Sequence, residues 1–279
     1  VDRLVLVDLC ATSLDVPEVL VFPGLGDDHR ELAALRLGCA PALRCVTVEY
    51  PDWTEIYSKP IDLDGLITHC AARVNDLVPH GSVRLAGYSF GGTMAYAVAA
   101  ALTAAGRRVE RLGLLDSPAD PHISTTPPSL DARWRRFAKA VRERELPREI
   151  CGTISGLVMR TGNARLLLAL GQLRRFHLPF NMQAHFNKPI TCRLREKLLL
   201  DLIERMQADR PPLDVPTVLF RSTRQYVVDS GPDLGWNRHI RSLQVIHLQG
   251  DHHTVIKPEN VGTLCAAFIQ GMGGPDASP

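Results

Sequence analysis

One corner of the sequence constrains the fold more than any other. In "VRLAGYSFGGTMAYAVAAAL", residues 83–102, a short apolar run ends on Gly-Tyr-Ser-Phe-Gly and turns at once into an alanine-rich helix. A strand that meets a helix at a serine flanked two residues away by glycines matches the strained nucleophile elbow. The turn lifts the Ser89 hydroxyl clear of the sheet, and side chains at 87 or 91 would collide there. The small residues Gly92, Ala95 and Ala99 let the helix lie close to the strands, and its free N–H groups point at the serine.

The segments around this corner agree with it. Runs rich in Val, Leu and Ile at 3–9, 18–22, 44–50, 83–88, 111–116, 216–223 and 243–250 read as buried strands. Helical stretches at 62–78, 91–105 and 257–270 lie between them. Alternation of this kind predicts an α/β layered fold with a mostly parallel sheet. The pattern breaks over 119–212, where a Pro-rich entry and exit enclose strand-poor sequence. This reads as a helical lid insertion, giving a core of 1–118 with 213–271, a lid of 119–212 and a flexible tail of 272–279. Arg133, Arg135, Arg136, Lys139, Arg142 and Arg144 put a basic face on the lid's first helix.

A serine hydroxyl is a weak nucleophile until a base takes its proton and an acid orients that base. In sheets carrying this elbow the order is serine, acid, histidine. The base is expected just past the last strand, where His252 and His253 are adjacent; only one of them can point inward. Three acids fit by order: Asp116 ends the strand after the elbow helix, while Asp229 and Asp233 follow the 216–223 strand. Two backbone donors should hold an oxyanion, the Phe90 amide and one from the loop "VFPGLGDDH", with Leu25 the first candidate and Gly24 the next.

Composition removes the main rivals. With 279 residues, 45% of them hydrophobic, the chain can bury a large core. A net charge of +2 gives no dominant basic field for nucleic acid. The seven cysteines are scattered with no CxxC pair, so neither a disulfide framework nor structural zinc is expected. "GLGDDH" has His29 where a dinucleotide fingerprint needs its third glycine. "DHH" lacks metal-ligand spacing, so no metal is expected. No apolar run spans a bilayer and the start lacks signal-peptide features, which leaves a cytoplasmic setting as the expectation. The chain opens abruptly on strand-like sequence, as a piece of something longer would.

These residues also carry a resemblance. "RLAGYSFGGTMAYAVAAAL" resembles the nucleophile segment of the thioesterase domains that end polyketide synthases and nonribosomal peptide synthetases. "LVFPGLGD" is similar to that family's oxyanion loop, "LGLLDSP" to its acid-bearing strand end, "DLGWNRHI" to its Leu-Gly-Trp segment and "LQGDHHTVIKPENV" to its histidine block. The likeness runs over about 18–118 and 215–268. It implies an α/β-hydrolase fold, Ser89 as nucleophile, Asp116 as acid and His252 as base, with His253 where the family usually has an aromatic. Trp236 is expected in the core.

The resemblance further implies a domain that binds no cofactor and takes its acyl or peptidyl chain from the phosphopantetheine of a carrier protein. Release is then hydrolytic or cyclising. The lid's basic face would meet that carrier, or simply be solvated. The alternatives are a free-standing editing (type II) thioesterase, whose elbow usually reads Gly-His-Ser-Met-Gly, a carboxylesterase, and a catalytically silent binding module of the same fold.

Overall fold

The structure is a computed structural model that describes residues 16–24, 32–51, 63–119, 198, 200–206, 211–224 and 231–273. Among the described residues six strands form one sheet: β1 (Glu18–Phe22), β2 (Arg44–Thr47), β3 (Val83–Tyr88), β4 (Val109–Leu115), β5 (Thr217–Arg224) and β6 (Leu243–Asp251). Their spatial order is β2-β1-β3-β4-β5-β6 and every neighbouring pair is parallel. The strand expected at 3–9 lies outside the described residues.

Because strand side chains alternate between faces, each strand feeds two cores. Leu20, Phe22, Leu85, Leu112, Leu114 and Leu219 face helices α2 (Leu63–Leu77) and α3 (Phe90–Ala104). Val19, Val21, Ala86, Leu115, Val218 and Phe220 face α1 (Ala33–Cys39) and α4 (Pro258–Gly273). Burial on both faces explains why these strands read as unbroken apolar runs. Trp236 is fully buried on the first face, and its indole N–H donates to the Ser117 carbonyl at 2.6 Å.

Helix α4 runs through Gly273, past the 270 expected for it and into the stretch read as tail. Met272 is fully buried against Gly113. Two guanidinium groups hold this helix end to the sheet: Arg84 donates to the Met272 carbonyl at 3.0 Å and Arg111 to that of Gly271 at 2.8 Å. The last carbonyls of a helix need such donors, and cations suit its negative end.

Of the expected lid, only Ala119, 198, 200–206 and 211–212 are described, and its basic residues at 133–144 are not among them. The helical segment at 200–206 buries Leu202, Ile203 and Met206 in the α2–α3 core, and its Arg205 pairs with Asp64 at the start of α2.

Candidate active site

Strand β3 delivers the chain to Ser89 at φ 55° and ψ −124°, a conformation costly for any residue with a side chain. Its surroundings enforce the turn. The Ser89 amide donates to the Leu115 carbonyl at 3.0 Å, and the Ser89 carbonyl accepts from the Gly92 amide at 2.9 Å. A Cβ on Gly91 would lie 2.2 Å from the Phe22 carbonyl oxygen, so the elbow, α3 and the end of β1 close on one another only without that atom. Phe90 is the first residue of α3, and its amide is one of those at a helix start with no intrahelical acceptor.

Asp116 follows β4 and also has a positive φ, of 45°. Among the described residues only Leu234 joins these two as a non-glycine in that region, so backbone strain concentrates at the sheet's C-terminal edge. The Asp116 amide donates to the Phe220 carbonyl at 2.8 Å, and its Oδ1 accepts from the Ser222 amide at 2.8 Å. Its other oxygen, Oδ2, lies 2.9 Å from His252 Nδ1, and His252 Nε2 lies 3.0 Å from Ser89 Oγ. An ionised carboxylate only accepts, so Nδ1 carries the ring proton and Nε2 presents its lone pair to the hydroxyl. Burial works against the charged form of Asp116. The bonds from His252 and the Ser222 amide outweigh it and hold the carboxyl below its ordinary range.

His252 sits in a turn that its neighbours build. The Asp251 carboxylate accepts from the His253 and Thr254 amides at 2.9 and 3.0 Å, and the Thr254 hydroxyl accepts from the Asp251 amide at 2.8 Å. Asn260 on α4 donates to the Thr254 carbonyl at 3.0 Å. An Asp with a Thr three residues later is a readable turn signal, but sequence reasoning passed over it. It also passed over the Ser222 amide, which no side-chain pattern betrays, and Tyr88, the residue before the serine.

The remaining candidates separate cleanly. His253 is exposed and meets the His252 ring edge-on, with centroids 5.3 Å apart. Asp233 accepts from the Asn237 amide at 2.9 Å and caps the turn that seats Trp236. Asp229 and Leu25 lie outside the described residues, whereas Gly24 is buried beside Tyr88. Tyr50 donates to the Pro23 carbonyl at 3.0 Å, tying the end of β1 to the chain beyond β2.

A rival nucleophile finds no support at Cys70, fully buried with its thiol pushed up to about 12 by that burial. Among the described residues no group of three or more His, Cys, Asp or Glu could hold a metal ion, and no helix is long and apolar enough to cross a membrane.

The arrangement is a hydroxyl, an imidazole and a buried carboxylate in one hydrogen-bonded line, the geometry that can activate an oxygen nucleophile for acyl transfer. The Inactive atromentin synthetase invA6 of Paxillus involutus is 35% identical over 124 residues, 42% of this chain and 12% of that protein. The Non-reducing polyketide synthase PKS1 of Zymoseptoria tritici is 46% identical over 59 residues, 21% of this chain and 3% of that one. The chain thus matches only a small part of either relative. Among solved structures, the NocB thioesterase domain in covalent complex with a fluorophosphonate nocardicin G analog superposes with a TM-score of 0.59 at 20% identity, covering 93% of this chain and 95% of that one. Residues 34–270 match the Thioesterase domain family, and so the chain belongs to that family and has an α/β-hydrolase fold.

Proposed function

We propose that this thioesterase domain releases an acyl or peptidyl chain from a phosphopantetheine-bearing carrier protein, through an ester formed on Ser89. The observation that carries the reading is the unbroken line from Ser89 Oγ to His252 at 3.0 Å and from His252 to Asp116 at 2.9 Å. His252 Nε2 takes the hydroxyl proton as Oγ attacks the thioester carbonyl. Asp116 holds the ring in the required tautomer and stabilises the imidazolium that forms. The developing oxyanion is held by the Phe90 amide and, as second donor, the Leu25 amide. Collapse breaks the carbon–sulfur bond, and the His252 proton goes to the departing pantetheine sulfur. Water, or a hydroxyl or amine of the chain itself, then gives its proton to His252 and attacks the ester. The product is free acid or ring, with the Ser89 hydroxyl restored.

The domain itself needs no cofactor in this scheme, and a carrier partner sets it in the cytoplasm. Fluorophosphonate labelling with peptide mapping, beside turnover of a panel of pantetheine thioesters followed by mass spectrometry, tests the proposal. Labelling at Ser89 and an acyl adduct there are expected, both lost in Ser89→Ala. Labelling with ester turnover but no thioester turnover would favour a carboxylesterase. A protein that neither labels nor turns over would be a silent binding module.

A further inference from the structure

His252 hangs on a turn beyond the last strand, and two in-plane hydrogen bonds are all that Asp116 and Ser89 supply to its ring. Bonds in the plane of an imidazole leave its tilt unset, and the bonds of Asp251, Thr254 and Asn260 that shape the turn beneath it do not tie that turn to the strand bearing Ser89. Tyr88 meets both needs. Its ring stacks on that of His252, with centroids 5.2 Å apart and planes 22° from parallel. Its hydroxyl donates a short hydrogen bond to the carbonyl of His252 itself. One side chain therefore holds both the face of the imidazole and the backbone that bears it.

Tyr88 is itself well fixed. It is buried, at 5% exposure, and a Cβ added to Gly24 would lie 3.1 Å from its ring. As the last residue of β3 it also stands one bond before Ser89, so the strand end that aims the nucleophile aims the tyrosine too. An aromatic face over an imidazole moreover favours the cation that forms when the ring takes a proton.

We infer that Tyr88 is the positioning residue for the base, locking the tilt of His252 through its ring and the height of its turn through its hydroxyl. The inference rests on His252 serving as the base in the proposed reaction. Among the described residues, the groups that meet that ring include Asp116, Ser89, Tyr88 and His253, with Asp251 one residue before it.

The test compares Tyr88→Phe and Tyr88→Leu with the parent, for turnover of a pantetheine thioester and for the rate of fluorophosphonate labelling. Tyr88→Phe keeps the stack and loses one neutral hydrogen bond, so kcat should fall about fivefold. Tyr88→Leu loses both contacts and should cost about 100-fold, the scale of a small misplacement of a catalytic group. KM should stay within about twofold in each, because neither change touches the substrate. In a His252→Ala background Tyr88→Leu should alter the residual labelling rate less than about twofold, since the ring it positions is gone.

A loss of equal size in that background would overturn the inference and make Tyr88 a support of the elbow alone. Parent-like kcat in both variants would overturn it as well. Should Tyr88→Leu fail to fold, Tyr88→Phe decides, alone and combined with His252→Ala. A parent that labels at Ser89 without turning over thioesters would instead refute the proposed substrate class, with labelling rates still judging Tyr88.

Discussion

Gly87 and Gly91 stand so close across the elbow that a Cβ built on Gly87 would lie 2.0 Å from the Gly91 carbonyl oxygen and 2.1 Å from its carbon. Both obstructing atoms are backbone, and the backbone here is pinned by the first turn of α3, so nothing flexible can move aside. Gly87→Ala should therefore destabilise the protein by about 3 kcal/mol or more, read as a lowered denaturant midpoint. Gly106→Ala is the control. Its φ of +80° strains an alanine, but nothing lies within 4 Å of the added atom, and the cost should stay near 1 kcal/mol. Equal losses would mean that the elbow backbone yields to the added atom, so that closeness does not select glycine at 87.

Asp116→Asn should lower kcat about 10⁴-fold with the fold retained, the scale expected when a triad acid is neutralised in place. The asparagine can still occupy the site but can no longer dictate which ring nitrogen of His252 carries the proton. Asp229→Asn and Asp233→Asn should cost far less, Asp233 being committed to the turn around Trp236. His252→Ala should be severe and His253→Ala mild. A reversed ranking of the acids would move the role to the chain after β5.

Tyr50→Phe probes the other side of the site. Its hydroxyl holds the Pro23 carbonyl, and its ring packs on Phe22 and Phe90, with centroids 6.4 and 5.8 Å away. Removing the hydroxyl leaves the packing intact and frees the end of β1, after which comes the segment proposed to hold the oxyanion. A fall in kcat of about fivefold is expected, with a stability loss of about 1 kcal/mol, measured by thioester turnover and thermal melting. Unchanged turnover with lowered stability would confine Tyr50 to a structural role.

The core and the elbow were legible because both rest on local physics. A two-sided buried strand must be apolar throughout, and a helix pressed against β1 and β3 needs glycine at 87 on the strand and at 91 in its own first turn. Ser89 was readable for the same reason. Asp116 and His252 were narrowed by chain order but not fixed by it. What separates Asp116 from Asp233 is an amide 106 residues away, that of Ser222, and what separates His252 from His253 is a turn shaped by Asp251 and Thr254. Tyr88 was hidden in plain view, because the variable position of the elbow gains meaning only when a distant turn arrives over it. The end of α4 runs past the expected 270 because Arg84 and Arg111 hold it from strands far back in the sequence, which no local pattern reveals.

The same carboxylate makes a prediction about acid. Burial disfavours the charge on Asp116, yet the hydrogen bonds from His252 and Ser222 win, and its titration lies below the ordinary range in the folded protein. A group with a depressed folded-state value stabilises fully above its unfolded value, about 3.9 for an aspartate. That contribution is lost as pH falls through that value toward the folded one. An asparagine at 116 has no such titration. The stability of the parent relative to Asp116→Asn should accordingly shift toward the variant as pH drops below about 4. Glu110 and Asp251, also held low by their partners, titrate in both proteins and cancel in the difference. Urea midpoints of the two proteins at pH 7, 5, 4 and 3.5 measure it. A difference that stays flat to the lowest pH, or moves toward the parent on acidification, would show that the bonds from His252 and Ser222 do not outweigh burial.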